Sequence, residues 1–190
     1  FEQIPATYIA DGHHRCASAV KVGLKRRQDN PGFTGNEEYN RFLSVLFPDD
    51  EMMIMDYNRV VKDLNGLSKE EFMAKLNDLF LFENKGTNQV HPESKGTFGM
   101  FIDGEWYHLT AKASILSDDA VEGLDVSVLQ NSLLGPVLGI GDPRTDERID
   151  FIGGIRGLEE LERRVKEDMV VAFSMYPTSI EELLAVADAH

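Results

Sequence analysis

Asp11, Gly12, His13, His14 and Arg15 set a carboxylate, two imidazoles and a guanidinium around one glycine in consecutive positions. Side chains of these types handle phosphates and protons. The short apolar run Tyr8-Ile9-Ala10 ends there and helical periodicity begins, so the five residues fall at an expected strand-to-helix turn. The first N–H groups of a helix have no acceptor within it, and with the helix dipole they attract an anion. Gly12 would let a ligand approach the backbone, Arg15 could fork onto phosphate oxygens, and His13 or His14 could donate a hydrogen bond or relay a proton near neutral pH. Asp11 is itself an anion and competes for the same donors. It is better suited to ligating Mg²⁺ or to acting as a general base beside the phosphate.

A plain structural reading stands beside this one. Asp-Gly before a helix is an ordinary cap, and a first turn of two histidines and an arginine can be a solvated face with Arg15 bonded to a neighbouring carboxylate. Zinc is not expected, because His13 and His14 are adjacent and lack the spacing of helical metal ligands, and Cys16 completes no zinc pattern. Haem is not expected either. Cys16, among Ala17 and Ala19, reads as a small core residue. Lys21, Lys25, Arg26 and Arg27 read as a solvated basic stripe. The stretch Asp142-Pro143-Arg144-Thr145-Asp146-Glu147-Arg148 either offers Arg144 or Arg148 to an anion across a cleft or pairs its own charges on the surface. His91, His108 and His190 have no evident partner in the sequence.

The elements that must position the turn follow from patterning. A buried strand is expected over Thr7 to Ala10, and a helix from there to about Arg27 with Ala17, Val20 and Leu24 on its buried face. Asn30-Pro31-Gly32 ends it and Phe33 to Asn36 is loop. Glu37 to Ser44 reads as a helix, or Phe42 to Phe47 as a strand, before a turn at Pro48-Asp49-Asp50. Glu51 to Val61 reads as a strand of the central sheet. Ser68 and Glu71 form a capping-box pattern ahead of Phe72, Leu76 and Leu79. Phe80-Leu81-Phe82 continues as a short strand, and Asn84 to Lys95 as a mobile loop. Asp103-Gly104 predicts a two-residue hairpin with Met100 facing Tyr107 and Phe98 facing Leu109. Asp125 caps a helix expected to run to Leu134, stopped by Gly135-Pro136. A strand at Phe151-Ile152, a turn at Gly153-Gly154, a helix through Leu158, Leu161 and Val165, and a strand from Met169 to Met175 follow. Thr178 and Glu181 suggest a second capping box, and the helix then carries Ile180, Leu183, Leu184 and Ala187. The expected class is α+β, a mixed sheet with at least one antiparallel hairpin and helices packed around it.

A length of 190 residues suits a single domain over 1–190, with possible sub-lobes 1–95 and 96–190. The composition, 42% hydrophobic and 27% charged, is that of a globular chain. Lys and Arg number 19 against 33 Asp and Glu, and the net charge of −14 repels a polyphosphate backbone, so nucleic acid is not an expected partner. One cysteine excludes an intrachain disulfide and suits a reducing compartment, which makes the cytoplasm the expected location. Apolar runs such as Met52-Met53-Ile54-Met55 are too short to span a bilayer, so no membrane role is expected. The chain begins at Phe1 rather than Met and its first expected strand follows at once. It is therefore read as a fragment of a longer polypeptide whose N-terminal region would be a natural partner.

The stretches Ile9 to Arg15, Met55 to Val61, Asp142 to Phe151 and Tyr176 to Leu183 together resemble the C-terminal half of the bacterial and archaeal family catalogued as domain of unknown function 1015, nearly end to end. The Asp-Gly-His-His-Arg turn is also similar to the phosphate-binding turn of the ParB/sulfiredoxin-like superfamily, over one strand-turn-helix unit. That second resemblance implies that Gly12, His13, His14 and Arg15 hold the phosphates of a nucleotide such as ATP, with Asp11 near Mg²⁺ or an acceptor and Asp11, His13 and His14 in catalytic roles. It suggests a small-molecule kinase or a non-catalytic nucleotide-dependent regulator. Sulfiredoxin chemistry itself is not implied, since it needs a cysteine before the His-Arg pair and Cys16 follows Arg15.

Overall fold

In the computed structural model, which describes residue 4 and residues 6–189, His13–Asp29 forms helix α1. The chain divides between Met52 and Met53 into two compact units. In the first unit α1 starts from Gly12 and ends at Asn30, close to the expected limits. The strand expected over Thr7 to Ala10 is not formed: these residues have no regular structure and are exposed. The expected buried face of α1 is also open, with Val20 54% and Leu24 53% exposed. Gly23 is the one buried residue among those described in this unit, and the segment after α1 packs there, since a Cβ on Gly23 would lie 3.0 Å from the carbonyl oxygen of Tyr39.

Neither alternative expected for residues 37–47 forms. Glu38–Asn40 makes a single 3-10 turn, and Phe42 to Phe47 has no regular structure. Short helices draw most of their stability from burying an apolar face, and Phe42, Leu43, Val45, Leu46 and Phe47 are all exposed. A further 3-10 turn, Asp49–Glu51, follows at the expected turn.

The second unit is built on one sheet. Strand β1 is Tyr57–Val61, the second half of the longer strand expected. Ser68 then accepts the amide of Glu71 while its own amide donates to the Glu71 carboxylate, so the predicted capping box opens α2, Lys69–Leu79. Strand β2, Phe80–Gly86, is longer than expected. Strands β3, Thr97–Ile102, and β4, Glu105–Ala111, form the predicted hairpin, with Met100 opposite Tyr107 and Phe98 opposite Leu109. Asp103 and Gly104 both have positive φ, as its two-residue turn requires. β5 is Ile149–Gly153, α4 Leu158–Glu167, β6 Val171–Met175 and α5 Ile180–Asp188.

The strands run β2-β4-β3-β6-β1-β5. The α+β class is as expected, and the sheet, expected as mixed, is antiparallel at every pairing. Strands on both sides of the 95/96 line pair with one another in this sheet. On one face Val61, Met100, Leu109 and Phe173 pack under Phe72 and Leu76 of α2 and under Val128, Leu129 and Leu133. On the other, Val60, Phe101, Trp106 and Ala172 pack under Leu158 and Leu161 of α4. Each Val, Leu, Met or Phe side chain among these contributes about 1.5–3 kcal/mol when fully buried.

Two helix starts differ from expectation. Leu124, not Asp125, is the cap of α3, Asp125–Leu129, and the next turn, Gln130–Leu134, is a π-helix rather than more α-helix. Asp125 points inward and accepts the Gly96 amide with both oxygens, at 2.9 and 3.0 Å. α5 is capped by the Ser179/Glu182 pair, one residue later than Thr178/Glu181. Both registers fit the capping-box pattern, so the motif alone does not separate them. No helix among the described residues is long and apolar enough to cross a membrane.

Candidate functional site

Gly12 caps α1 with φ 82° and ψ 28°, a left-handed conformation open to glycine at little cost. The first helical bond runs from the Cys16 amide to the Gly12 carbonyl at 2.9 Å. The amides before Cys16 therefore have no acceptor inside the helix. Gly12 has no side chain to cap them, and the first turn of α1 contains no acidic residue. In contrast, α2, α4 and α5 each carry two glutamates in their first turn.

Arg15 folds back over this turn. A Cβ on Gly12 would meet its Nη2 at 2.9 Å and its Nε at 3.0 Å, so only glycine leaves the guanidinium its place. From there Nη2 donates to Oδ2 of Asp11 at 2.9 Å, with the side chains 80% and 92% exposed. The turn thus holds the pairing expected of a plain cap together with the open amides expected of an anion site. His13 and His14 are exposed beside it. Asp11 brings one carboxylate, and no group of three or more His, Cys, Asp or Glu side chains among the described residues could hold a metal ion unaided. Cys16, expected in a core, is half-buried and free.

The other candidates fall out plainly. Lys21, Lys25, Arg26 and Arg27 are exposed, and Arg26 and Arg27 lie over the rings of Tyr39 and Phe33. Arg144 donates to both oxygens of Asp142, two residues away, and this neighbour holds the Asp142 carboxyl below the usual carboxylate range. Arg148 is a clamp: its guanidinium reaches the carbonyls of Leu138 at 3.0 Å and Gly139 at 2.7 Å, and it pairs with Asp146. Arg144 pairs within its own loop, as the self-paired reading had it, whereas Arg148 pairs with Asp146 and also reaches Leu138, Gly139 and Asp63 outside that loop. His91 is exposed in a loop, His108 stands on β4 opposite Gly99, and His190 lies outside the described residues.

The second unit contains a cavity of about 300 Å³ that no sequence motif marked. It is lined by Arg59 of β1, Phe151 of β5, Pro143, and Glu122, Ser127, Gln130 and Asn131 around α3. Arg59 is 9% exposed, and burial lowers its pKa to about 10, so it is charged at neutral pH.

The family model described as "Protein of unknown function (DUF1015)" matches residues 1–127. The chain belongs to the DUF1015 family. No curated protein and no solved structure matches it. The part of the DUF1015 chain covered by the match includes the Asp11 to Arg15 turn, β1 with Arg59, and Glu122. The stretches Asp142 to Phe151 and Tyr176 to Leu183 lie beyond it. One signal for Arg59 was present in the sequence of this DUF1015 member. In Tyr57-Asn58-Arg59-Val60-Val61 the arginine has the same parity as Val61, so strand alternation places a cation on a core-facing row.

Proposed function

We propose that this protein binds a phosphorylated small molecule, a nucleotide such as ATP with Mg²⁺, at the Asp11 to Arg15 turn. One observation carries the reading: the Gly12-capped start of α1 has neither a capping side chain nor an acidic first turn, and the Arg15 guanidinium lies directly over it. Amides, dipole and guanidinium together make an anion cradle. The similarity of the turn to that of ParB/sulfiredoxin-like proteins supports the same reading.

Binding exchanges one pairing for another. Arg15 would leave Asp11 for the phosphate oxygens, and Asp11 would then be free to hold the nucleotide's Mg²⁺, which would neutralise phosphate charge there. If phosphoryl transfer follows, an acceptor hydroxyl attacks the γ-phosphorus and the bond to the β-phosphate oxygen breaks, with ADP leaving. The acceptor proton passes to Asp11 or to His13 or His14. The cytoplasm, where ATP and Mg²⁺ are plentiful, suits this role.

The Arg15–Asp11 pair favours a second reading, a cap with no ligand. A thermal-shift series with ATP, ADP, CTP and pyrophosphate, each with and without Mg²⁺, separates the two. A ligand bound by the native state alone raises Tm. A Mg²⁺-dependent rise that Arg15→Ala abolishes supports the nucleotide site, and turnover of ATP with a hydroxylated acceptor would then mark a kinase rather than a regulator. No shift with any of the four leaves the turn as a cap.

A further inference from the structure

Arg59 is a cation folded into the second unit with no anion beside it among the described residues. Its guanidinium carbon lies 5.3 Å from the centre of the Phe151 ring and 5.6 Å from that of Tyr57, and the two rings stack 5.1 Å apart at 5°. Nη1 donates to the Tyr57 carbonyl, while the Nε and Nη2 edge donates to no described residue. Tyr39 Oη is the one fully buried side-chain polar atom left without a partner among the described residues, so the free edge of the Arg59 fork meets solvent, while the two rings and the Tyr57 carbonyl hold the rest of it. Arg59 also lines the cavity, so its unmet edge can be reached from there.

The other lining groups narrow what could meet it. Glu122 and Asn131 are exposed, whereas Arg59 is buried, so the lining combines a solvent-facing carboxylate with a cation set into the wall. The Asn131 amide donates to the Glu122 carboxylate and orients it, and Glu122 has no cationic partner among the described residues. Gln130 spends its Nε2 on the Ile140 carbonyl at 2.7 Å, so its Oε1 is left as an acceptor. Val126, Pro143 and Phe151 supply apolar wall.

We propose that this cavity binds a small zwitterion, its carboxylate on the Arg59 guanidinium and its protonated amine on Glu122. The planar fork of arginine matches a carboxylate with two parallel hydrogen bonds. A bare anion would be repelled by Glu122 in the same lining and by a chain of net charge −14, whereas an amine on the same molecule turns the Glu122 repulsion into attraction. The volume lies at the low end of small-molecule sites, which suits a linker of a few carbons against Phe151 and Val126. The inference uses only the second unit and stands independently of the Gly12 turn.

Titration of the ¹⁵N-labelled chain followed by amide shifts tests it. Glycine, β-alanine and γ-aminobutyrate are the zwitterionic probes, with acetate, methylamine and inorganic phosphate as single-charge controls. Saturable shifts at Ser127 and Gln130 are expected with at least one zwitterion, about tenfold tighter than with acetate or methylamine. Arg59→Met should abolish them. Glu122→Gln, an exposed change that keeps the fold, should bring the preferred zwitterion down to the affinity of acetate. The proposal is overturned if no zwitterion gives saturable shifts, if acetate or phosphate binds as tightly, or if Glu122→Gln leaves the preference intact. Should Arg59→Met fail to fold, Glu122→Gln alone decides. Phosphate binding at the α1 turn would show on the amides of His13 and His14, so the two sites are read separately.

Discussion

Arg15 donates from Nη2 to Oδ2 of Asp11 at 2.9 Å across one helical turn, with both side chains in solvent. An exposed pair of this kind adds little to stability, because water and salt screen it and both side chains lose rotamer freedom. Its effect is on the anion site, where Asp11 occupies the guanidinium and adds negative charge at a helix N-terminus. Asp11→Asn should therefore leave Tm nearly unchanged and strengthen Mg²⁺-free pyrophosphate binding about two- to fivefold. Isothermal titration checks this. Equal or weaker binding in the variant would mean that no anion competes with Asp11 for Arg15.

Gly12→Ala probes the same place from the backbone. The φ of 82° penalises any L side chain, by about 1 kcal/mol, and the new Cβ would sit 2.9 Å from Nη2 of Arg15. The guanidinium must swing away. Pyrophosphate affinity should fall together with a modest loss of helix at the start of α1, seen by amide exchange. An affinity that holds while the helix frays would show that Arg15 is not part of the cradle.

Arg148 and Arg144 look alike in sequence but differ in what they hold. Arg148 ties two carbonyls, Asp146 and Asp63 together, whereas Arg144 reaches only Asp142. Arg148→Ala should lower Tm by a few degrees and Arg144→Ala by less than about one degree. Because Pro143 in this loop lines the Arg59 cavity, Arg148→Ala should also weaken zwitterion binding there. Equal Tm values for the two variants would remove the clamp role.

Local patterns carried most of the second unit. The Asp103-Gly104 hairpin, its register and the Ser68 capping box each depend on residues within a few positions, and all three formed as the sequence indicated. Distant partners are where the reading stopped. Asp125 has the type and place of a helix cap, yet its acceptor role is taken by Gly96, on a separate loop 29 positions away. Tyr8-Ile9-Ala10 has the composition of a buried strand, but the three residues take no regular structure and lie exposed, because composition alone does not supply the neighbours that bury a strand. The five-residue turn was legible because its chemistry is contiguous. The Arg59 cavity was not, because its lining converges from β1, β5, the α3 region and the Pro143 loop, and only the parity of one arginine in a strand hinted at it.

Asp125 gives the fold a pH dependence that can be isolated. Burial raises its carboxyl from the ordinary 3.8 to about 6, with the Gly96 hydrogen bonds and Lys95 pulling the other way and Glu182 adding to the rise. Between these values the folded chain holds a proton that the unfolded chain has released. Its contribution to stability is thus full below about pH 4 and is lost as pH rises through about 6, on the order of 1–3 kcal/mol. Asp146, Asp150 and Asp168, held low by Arg148 and Arg164, act with the opposite sign at lower pH. They are common to wild type and variant and cancel in a comparison. Asp125→Asn keeps an acceptor for the Gly96 amide and cannot titrate. Urea unfolding followed by the single tryptophan, Trp106, which is fully buried in this unit, should show the variant gaining stability over wild type as pH rises from about 4 to about 7. Parallel curves across that range would mean that Asp125 is ionised in the folded state throughout, its charge met by Gly96 and Lys95 despite the burial.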